Sequence, residues 1–117
     1  MKKLAFAVLL AAAVFALSQC ELFSTNVQYN IIGSSSNLDI LYQDENGQLI
    51  EMIGPNPGII SFQVFGSELP FLAFISVTNS DFINDVNVFI LEDGIAVVGP
   101  STAGKLGGST EIYWIVD

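Results

Sequence analysis

The chain has 117 residues, with twelve Asp and Glu side chains, three lysines and neither histidine nor arginine, for a formal net charge of −9 at pH 7. A chain this acidic cannot supply the cationic surface that a phosphate backbone requires, so we exclude nucleic acid as a partner. The lack of histidine and of a second cysteine also excludes a zinc site and the imidazole base of a serine or cysteine nucleophile.

The N-terminal segment has the pattern of an export signal. Two lysines precede an uncharged apolar run of fourteen residues, Leu4 to Leu17. This run is shorter than the roughly 20 residues that span a bilayer, and it suits the apolar region of a signal peptide. We therefore predict a cleaved signal peptide over residues 1–19.

The single cysteine follows this run directly. Leu17-Ser18-Gln19-Cys20 resembles a bacterial lipobox, in which the cysteine becomes the lipidated first residue, although Gln19 departs from the small residue usual before it. An unpaired thiol is a liability in an oxidising compartment, which favours an acyl acceptor. The prediction is attachment to a bacterial envelope membrane through lipid on Cys20, with the domain facing the periplasm or the cell surface. Cleavage after Ser18, which gives a secreted protein, and an uncleaved anchor stay open as alternatives.

Removal of residues 1–19 leaves 98 residues, which is one small domain by length. In this mature chain Lys105 alone opposes twelve carboxylates, so the formal charge becomes −11. We assign residues 20–26 to the lipidated cysteine and a short tether, and residues 27–117 to the folded domain.

Beyond the tether, apolar residues recur with a period of two, which is typical of half-buried β-strands. These runs cover residues 26–32, 37–43, 48–53, 59–65, 70–78, 85–91, 94–99 and 109–117. No window shows a sustained helical period of 3.6 residues. Seven or eight short strands predict an all-β, immunoglobulin-like antiparallel β-sandwich. A closed barrel is the structural alternative.

The sequence predicts two turns. Asp93-Gly94 suits the positive φ angles of a two-residue hairpin turn, and Asn46-Gly47 suits a slightly longer loop. They predict that residues 85–92 pair with 95–98, and that residues 38–43 pair with 48–53.

Several strands carry apolar residues on their second face as well, which a two-layer sandwich would turn towards water. Loops that cover these residues are one explanation, and an exposed patch for a partner or a lipid is the other. The candidate partner surface consists of Phe65, Leu72, Phe74, Phe89, Leu91 and Tyr113. Trp114 shares a face with Ile112 and Val116, which favours a position in the core.

The remaining reactive groups are carboxylates and one lysine. Two acids can hydrolyse a glycoside, but the acids here fall mainly on polar faces or in loops, so we predict no enzyme and no cofactor. Calcium needs only oxygen ligands, and Asp81 and Asp85 are the least unsuitable candidates. Because their spacing is not that of an EF-hand, we predict at most weak calcium binding there.

Two segments resemble the MmpS-type small membrane proteins and related bacterial lipoproteins. YNIIGSSSNLDILYQDENGQ (29–48) is similar to their opening strand, Ser/Thr-rich turn, second strand and Asp/Asn-Gly turn, and VNVFILEDGIAVV (86–98) to their penultimate hairpin. The matching positions are Tyr29, Ile31, Gly33, Ile40, Tyr42 and Gly47. The resemblance implies an immunoglobulin-like sandwich tethered to a bacterial envelope, in a group whose members with a known role assist lipid exporters. This chain departs from the group in its lipoprotein-like signal and in lacking a cysteine pair in the sandwich.

Together these features predict a non-catalytic lipoprotein whose sandwich binds another envelope component. One alternative is a surface structural subunit that assembles by strand addition, with residues 107–117 pairing in another molecule. A second alternative is a weak glycan or calcium binder, in which Trp114, Tyr113, Tyr42 and Tyr29 form a stacking platform.

Overall fold

The computed structural model describes residues 24–35 and 37–117. The predicted signal peptide over residues 1–19, the lipobox residues Leu17, Ser18 and Gln19, and Cys20 lie outside the described residues. In that described part, no helix is long and apolar enough to cross a membrane.

Eight strands and one short 3₁₀ helix form the part of the chain that the structure describes. The strands are β1 Ser24–Gly33, β2 Leu38–Gln43, β3 Leu49–Ile53, β4 Ile59–Phe65, β5 Phe71–Asn79, β6 Val86–Glu92, β7 Ile95–Ala103 and β8 Gly108–Val116, and the 3₁₀ helix is Gly66–Glu68. They form two four-stranded antiparallel sheets. The first sheet has the order β4-β1-β6-β7 and the second has the order β3-β2-β5-β8. The predicted all-β sandwich is confirmed.

The core lies between the two sheets and follows the period of two in the sequence. Alternate residues of each central strand point inwards, because successive side chains of a strand point to opposite faces. The buried apolar side chains of the central strands are Val27, Tyr29, Ile31, Leu38, Ile40, Phe71, Ala73, Ile75, Val77, Val86, Val88 and Ile90.

Both predicted hairpins are confirmed. Asp93 and Gly94 have φ angles of 49° and 81°, as a tight turn of this kind requires, and they connect β6 to β7. In the five-residue loop between β2 and β3, the Asp44 carboxylate accepts hydrogen bonds from the N–H groups of Asn46 and Gln48, at 3.0 and 2.9 Å.

At two places a strand boundary differs by more than one residue from the predicted one. β1 begins at Ser24, which pairs with Phe65, so three residues assigned to the tether lie in the sheet. β7 continues to Ala103, beyond the predicted end, although it contains Gly99 and Pro100. Gly99 has a φ of 109°, and a Cβ there would lie 2.6 Å from the Val88 carbonyl oxygen. The strand can continue because it bulges here and lies at a sheet edge, where proline is tolerated.

The sandwich has two ends that differ in charge, which we call the Ser24 end and the Gly33 end after the termini of β1. The Ser24 end carries the loops 44–48, 66–70 and 93–94, and the Gly33 end carries Ser34, Ser35 and Asn37 between β1 and β2 and the loops 54–58, 80–85 and 104–107. Half of the twelve carboxylates lie in or beside the Ser24-end segments: Asp44, Glu45, Glu68, Glu92, Asp93 and Asp117. The loops of the Gly33 end instead expose Phe82, Ile83 and Leu106.

Candidate functional site

The predicted partner residues lie on two opposite faces of the sandwich. Leu72, Phe74 and Tyr113 lie on the outer face of the second sheet. Phe89 and Leu91 lie on the outer face of the first sheet, where they are half-buried. Phe65 lies at the end of β4 in the first sheet, 43% exposed. The six residues therefore do not form one surface.

The outer face of the second sheet carries a compact apolar cluster, which we call the outer patch: Leu72, Phe74, Tyr113 and Ile115. Leu72 pairs with Ile115, and Phe74 pairs with Tyr113, across neighbouring strands β5 and β8. Tyr113 is 67% exposed and Ile115 is 55% exposed, whereas Phe74 is half-buried. Ile115 belongs to the patch although it was not among the predicted partner residues. The sequence does place Ile115 among the apolar residues on the second face of the strands, because it alternates with Trp114 and Val116.

A depression of about 520 Å³ adjoins the outer patch at the Ser24 end of the sandwich. It lies between the β2–β3 loop and the segment that leads into β5. Its lining residues are Gln43, Glu45, Asn46, Gly47, Glu68, Pro70, Phe71 and Leu72. Leu72 belongs to both features, so the apolar patch is continuous with a depression that holds two carboxylates. This arrangement suits a partner that presents apolar groups beside a positive charge.

Tyr29 is a core residue. Its hydroxyl donates to the Gln43 carbonyl oxygen at 2.8 Å and accepts from the Phe74 N–H at 3.1 Å, so it joins β2 and β5 from the opposite sheet. Its ring packs against Tyr42 and Phe62, with centroids 5.9 and 5.7 Å away. Burial raises the pKa of Tyr29 well above its ordinary value. Tyr29 therefore cannot form a stacking platform at the surface.

Trp114 is more exposed than its position in the sequence suggests. It points to the inner side of β8, opposite Ala73, but 36% of its surface is accessible because β8 is an edge strand. β8 itself pairs with β5 of the same molecule along its whole length, and Ile112 and Val116 are buried.

The two candidate calcium ligands act as caps for loop backbone at the Gly33 end. Asp81 Oδ1 accepts from the N–H groups of Ile83 and Asn84, at 2.7 and 2.9 Å, and Asp85 Oδ1 accepts from the Lys105 N–H at 2.8 Å. Among the described residues, no group of three or more histidine, cysteine, aspartate or glutamate side chains could hold a metal ion.

Two sequence comparisons with known proteins find no match. No protein-family model matches the chain, and no curated protein is significantly similar to it in sequence. The geometry of the outer patch and its depression is therefore the basis for assigning a function.

Proposed function

We propose that this protein is a non-catalytic lipoprotein of the bacterial envelope, anchored by lipid on Cys20, and that the outer patch binds another envelope protein at the membrane. The observation that carries the proposal is the outer patch itself. A sheet face that is turned towards water is ordinarily polar, and a contiguous apolar cluster there is typical of a protein–protein contact.

The position of β1 sets how far the patch can lie from the membrane. Ser24 follows Cys20 by four residues, which reach at most about 14 Å when extended. The Ser24 end of the sandwich would therefore be the end nearer the bilayer. The outer patch lies in the Ser24-end half of the second sheet, within reach of a partner embedded in the same membrane.

The charge of the Ser24 end supports a protein partner rather than lipid. Six carboxylates lie in or beside its loops, and they would be repelled by an anionic membrane surface within about 10 Å at 0.1 M salt. Attachment must then depend on the acyl groups, of which two or more are needed for stable anchoring. The resemblance to MmpS-type proteins adds an exporter as the kind of partner that such a module would assist.

The anchor is tested by the intact mass of the protein purified from its native membranes. The expected mass corresponds to a chain that begins at Cys20 with added acyl groups. The Cys20→Ala variant should lose the acyl mass. A water-soluble product that begins at Gln19 and carries a free thiol would contradict the anchor.

The binding surface is tested by a photo-reactive amino acid placed at Tyr113 in the full chain in its native cells. Ser109 is the matched control position, because it lies on the same strand and the same outer face, but away from the patch. We expect a defined cross-linked band from position 113 and none from position 109. Equal labelling at both positions, or none at either, would contradict a specific contact at the patch.

A further inference from the structure

β4 is an unprotected edge strand. The edges of the two described sheets are β4 and β7 in the first sheet and β3 and β8 in the second. Natural proteins protect such edges with charges, prolines or bulges, because free N–H and C=O groups pair readily with another chain. The other three edges have these features: β3 contains Glu51, β7 contains Pro100 and a bulge, and β8 contains Glu111.

β4 has none of these protections. Its seven residues, IISFQVF, include no charge and no proline, and its pairing with β1 runs without a register shift. On the other side of the sandwich, β7 and β8 are joined by a hydrogen bond between the hydroxyls of Ser101 and Thr110. The open edge of the first sheet is therefore β4.

The hydrogen bond that precedes β4 shows which residues of β4 bond to β1 and which have free backbone groups. The Ile31 N–H donates to the Gly58 carbonyl oxygen at 2.8 Å, and hydrogen-bonded positions alternate along an antiparallel pair. Ile60, Phe62 and Val64 thus bond to β1. The backbone groups of the other four residues point away from β1 towards the open edge: Ile59, Ser61, Gln63 and Phe65.

We propose that β4 pairs with β4 of a second copy of this chain, antiparallel, around a two-fold axis at Phe62. In this register Ile59 faces Phe65 of the other copy, and Ser61 faces Gln63. All four free positions on each strand are then paired, with about eight backbone hydrogen bonds. Apolar residues meet apolar residues and polar residues meet polar ones. A shift of the axis to Ser61 or Gln63 leaves one position unpaired and opposes Ile59 or Phe65 to a polar side chain.

The charge distribution favours this contact between two acidic molecules. β1 and β4, the two strands at this edge, contain no charged residue, although the chain carries a net charge of −9. Two copies therefore meet where their mutual repulsion is smallest. At each end of the proposed seam an exposed apolar side chain would be covered, because Ile59 is 64% exposed and Phe65 is 43% exposed.

An apolar cleft beside β4 would be closed by the same contact. The cleft has a volume of about 110 Å³ and lies between the edge strands β3 and β4, with Met52, Ile59 and Ile60 among its lining residues. A seven-residue edge buries less area than the roughly 1,200 Å² of a stable interface. The dimer is accordingly weak in dilute solution and is favoured where the protein is concentrated, as on a membrane surface.

Disulfide cross-linking tests the register in the full chain, in its native membranes. Ser61→Cys and Gln63→Cys are expressed separately and together, and the membranes are mildly oxidised. Residues that face each other in a hydrogen-bonded pair have Cα atoms about 5.5 Å apart, within disulfide range, whereas two copies of the same position lie beyond it. We expect a disulfide-linked dimer only in the mixed sample. No dimer in the mixed sample, or equal dimer from either variant alone, would overturn the proposal. The unsubstituted chain reports any dimer that Cys20 forms.

A charge-swap version of the disulfide experiment tests whether Ile59 of one copy contacts Phe65 of the other. The Ser61→Cys copy also carries Ile59→Lys and Phe65→Lys, and the Gln63→Cys copy carries either the same two lysines or two glutamates. Like charges should lower the dimer yield about tenfold, and opposite charges should restore it. Thermal unfolding of each variant shows whether it folds. Ser109→Cys on β8 is the matched control, and it should give no dimer. A yield that does not respond to the sign of the charges would overturn the contact. The experiment in membranes rests on the proposed lipid anchor, which the intact mass tests by itself, whereas its outcome does not depend on the outer patch.

Discussion

The two ends of the sandwich are held together by different buried polar groups. Towards the Ser24 end, the Tyr29 hydroxyl makes two hydrogen bonds from the first sheet to the second, with Gln43 and Phe74. At the Gly33 end, the Asn79 side chain makes four hydrogen bonds. It accepts from the Ser35 hydroxyl at 2.9 Å and from the Asp81 N–H at 3.1 Å, and it donates to the carbonyl oxygens of Asn84 and Ala103 at 2.7 and 3.1 Å.

The chain has one cysteine and so no internal disulfide. The comparison of the two ends shows how buried polar side chains can instead hold the sheets and loops in position. A buried polar group that lacks a partner costs free energy, so each of these groups favours one arrangement of its surroundings. Tyr29 fixes the distance between the two sheets, whereas the Asn79 side chain fixes Ser35, the loop 80–85 and the C-terminal end of β7 against one another. The Gly33 end therefore depends on one side chain far more than the Ser24 end does.

The largest predicted effect is at Asn79. Asn79→Ala leaves two carbonyl oxygens and two donors without their partner in a buried site, and we expect a loss of about 3–4 kcal/mol in the free energy of unfolding. Urea unfolding followed by circular dichroism measures it. Asn56→Ala is the matched control, because Asn56 is an exposed asparagine in another loop of the same end, and its loss should stay within about 0.5 kcal/mol. Equal losses in the two variants would show that the Asn79 network is not a major support of the fold.

Tyr29→Phe should have a smaller effect. The ring and its contacts with Tyr42 and Phe62 remain, and only the hydroxyl is lost, so we expect destabilisation of about 1–2 kcal/mol. Tyr113→Phe removes an exposed hydroxyl and serves as the control in the same urea experiment, with little expected change. If Tyr29→Phe unfolds at the same urea concentration as the unsubstituted protein, the hydroxyl does not join the sheets energetically.

The free energy of unfolding at alkaline pH should further distinguish the unsubstituted protein from Tyr29→Phe. Burial raises the pKa of Tyr29 above the ordinary value of about 10 that it has in the unfolded chain. Above pH 10 the unfolded chain loses a proton that the folded chain keeps, so the contribution of Tyr29 to stability is complete below pH 10 and falls as the pH rises. The advantage of the unsubstituted protein over Tyr29→Phe should shrink by about 1 kcal/mol between pH 9 and pH 10.5. A constant difference would mean that Tyr29 is as ionisable in the fold as in the unfolded chain.

The sequence predicts the strands well because their signals are local. The alternation of Val27, Tyr29 and Ile31 identifies β1, and the Asp93-Gly94 pair identifies the β6–β7 turn. β7 was predicted too short because Gly99 and Pro100 normally end a strand. A strand tolerates them here because it bulges between the Val88–Ser101 and Ile90–Val98 pairs and lies at a sheet edge. That position in the sheet is not encoded in neighbouring residues.

The candidate site is only partly predictable for the same reason. Leu72, Phe74 and Tyr113 form one patch because β5 and β8 pair, although about forty residues separate them in the chain. Phe89 and Leu91 show the same apolar pattern but belong to the other sheet. Likewise, the sequence NLDILYQ gives no indication that the Tyr29 hydroxyl would hydrogen-bond to Gln43. The alternation of β5 places Asn79 on the inner face, but it does not indicate which groups the Asn79 side chain binds. Strand order, which is nonlocal, decides all of these.

Ser35→Ala should cause the smallest loss in the free energy of unfolding. It also shows how much the Ser35–Asn79 hydrogen bond contributes to the Asn79 network. The Ser35 hydroxyl donates to Asn79 Oδ1 and accepts from the Asn37 N–H at 3.2 Å, and the Asp81 N–H donates to the same Oδ1. Because Oδ1 keeps one donor, we expect a loss of only about 1 kcal/mol in the urea experiment. The double variant Ser35→Ala/Asn79→Ala should lose less than the sum of the two single losses, because the Ser35–Asn79 hydrogen bond can be lost only once. Strict additivity would show that Ser35 contributes independently of Asn79.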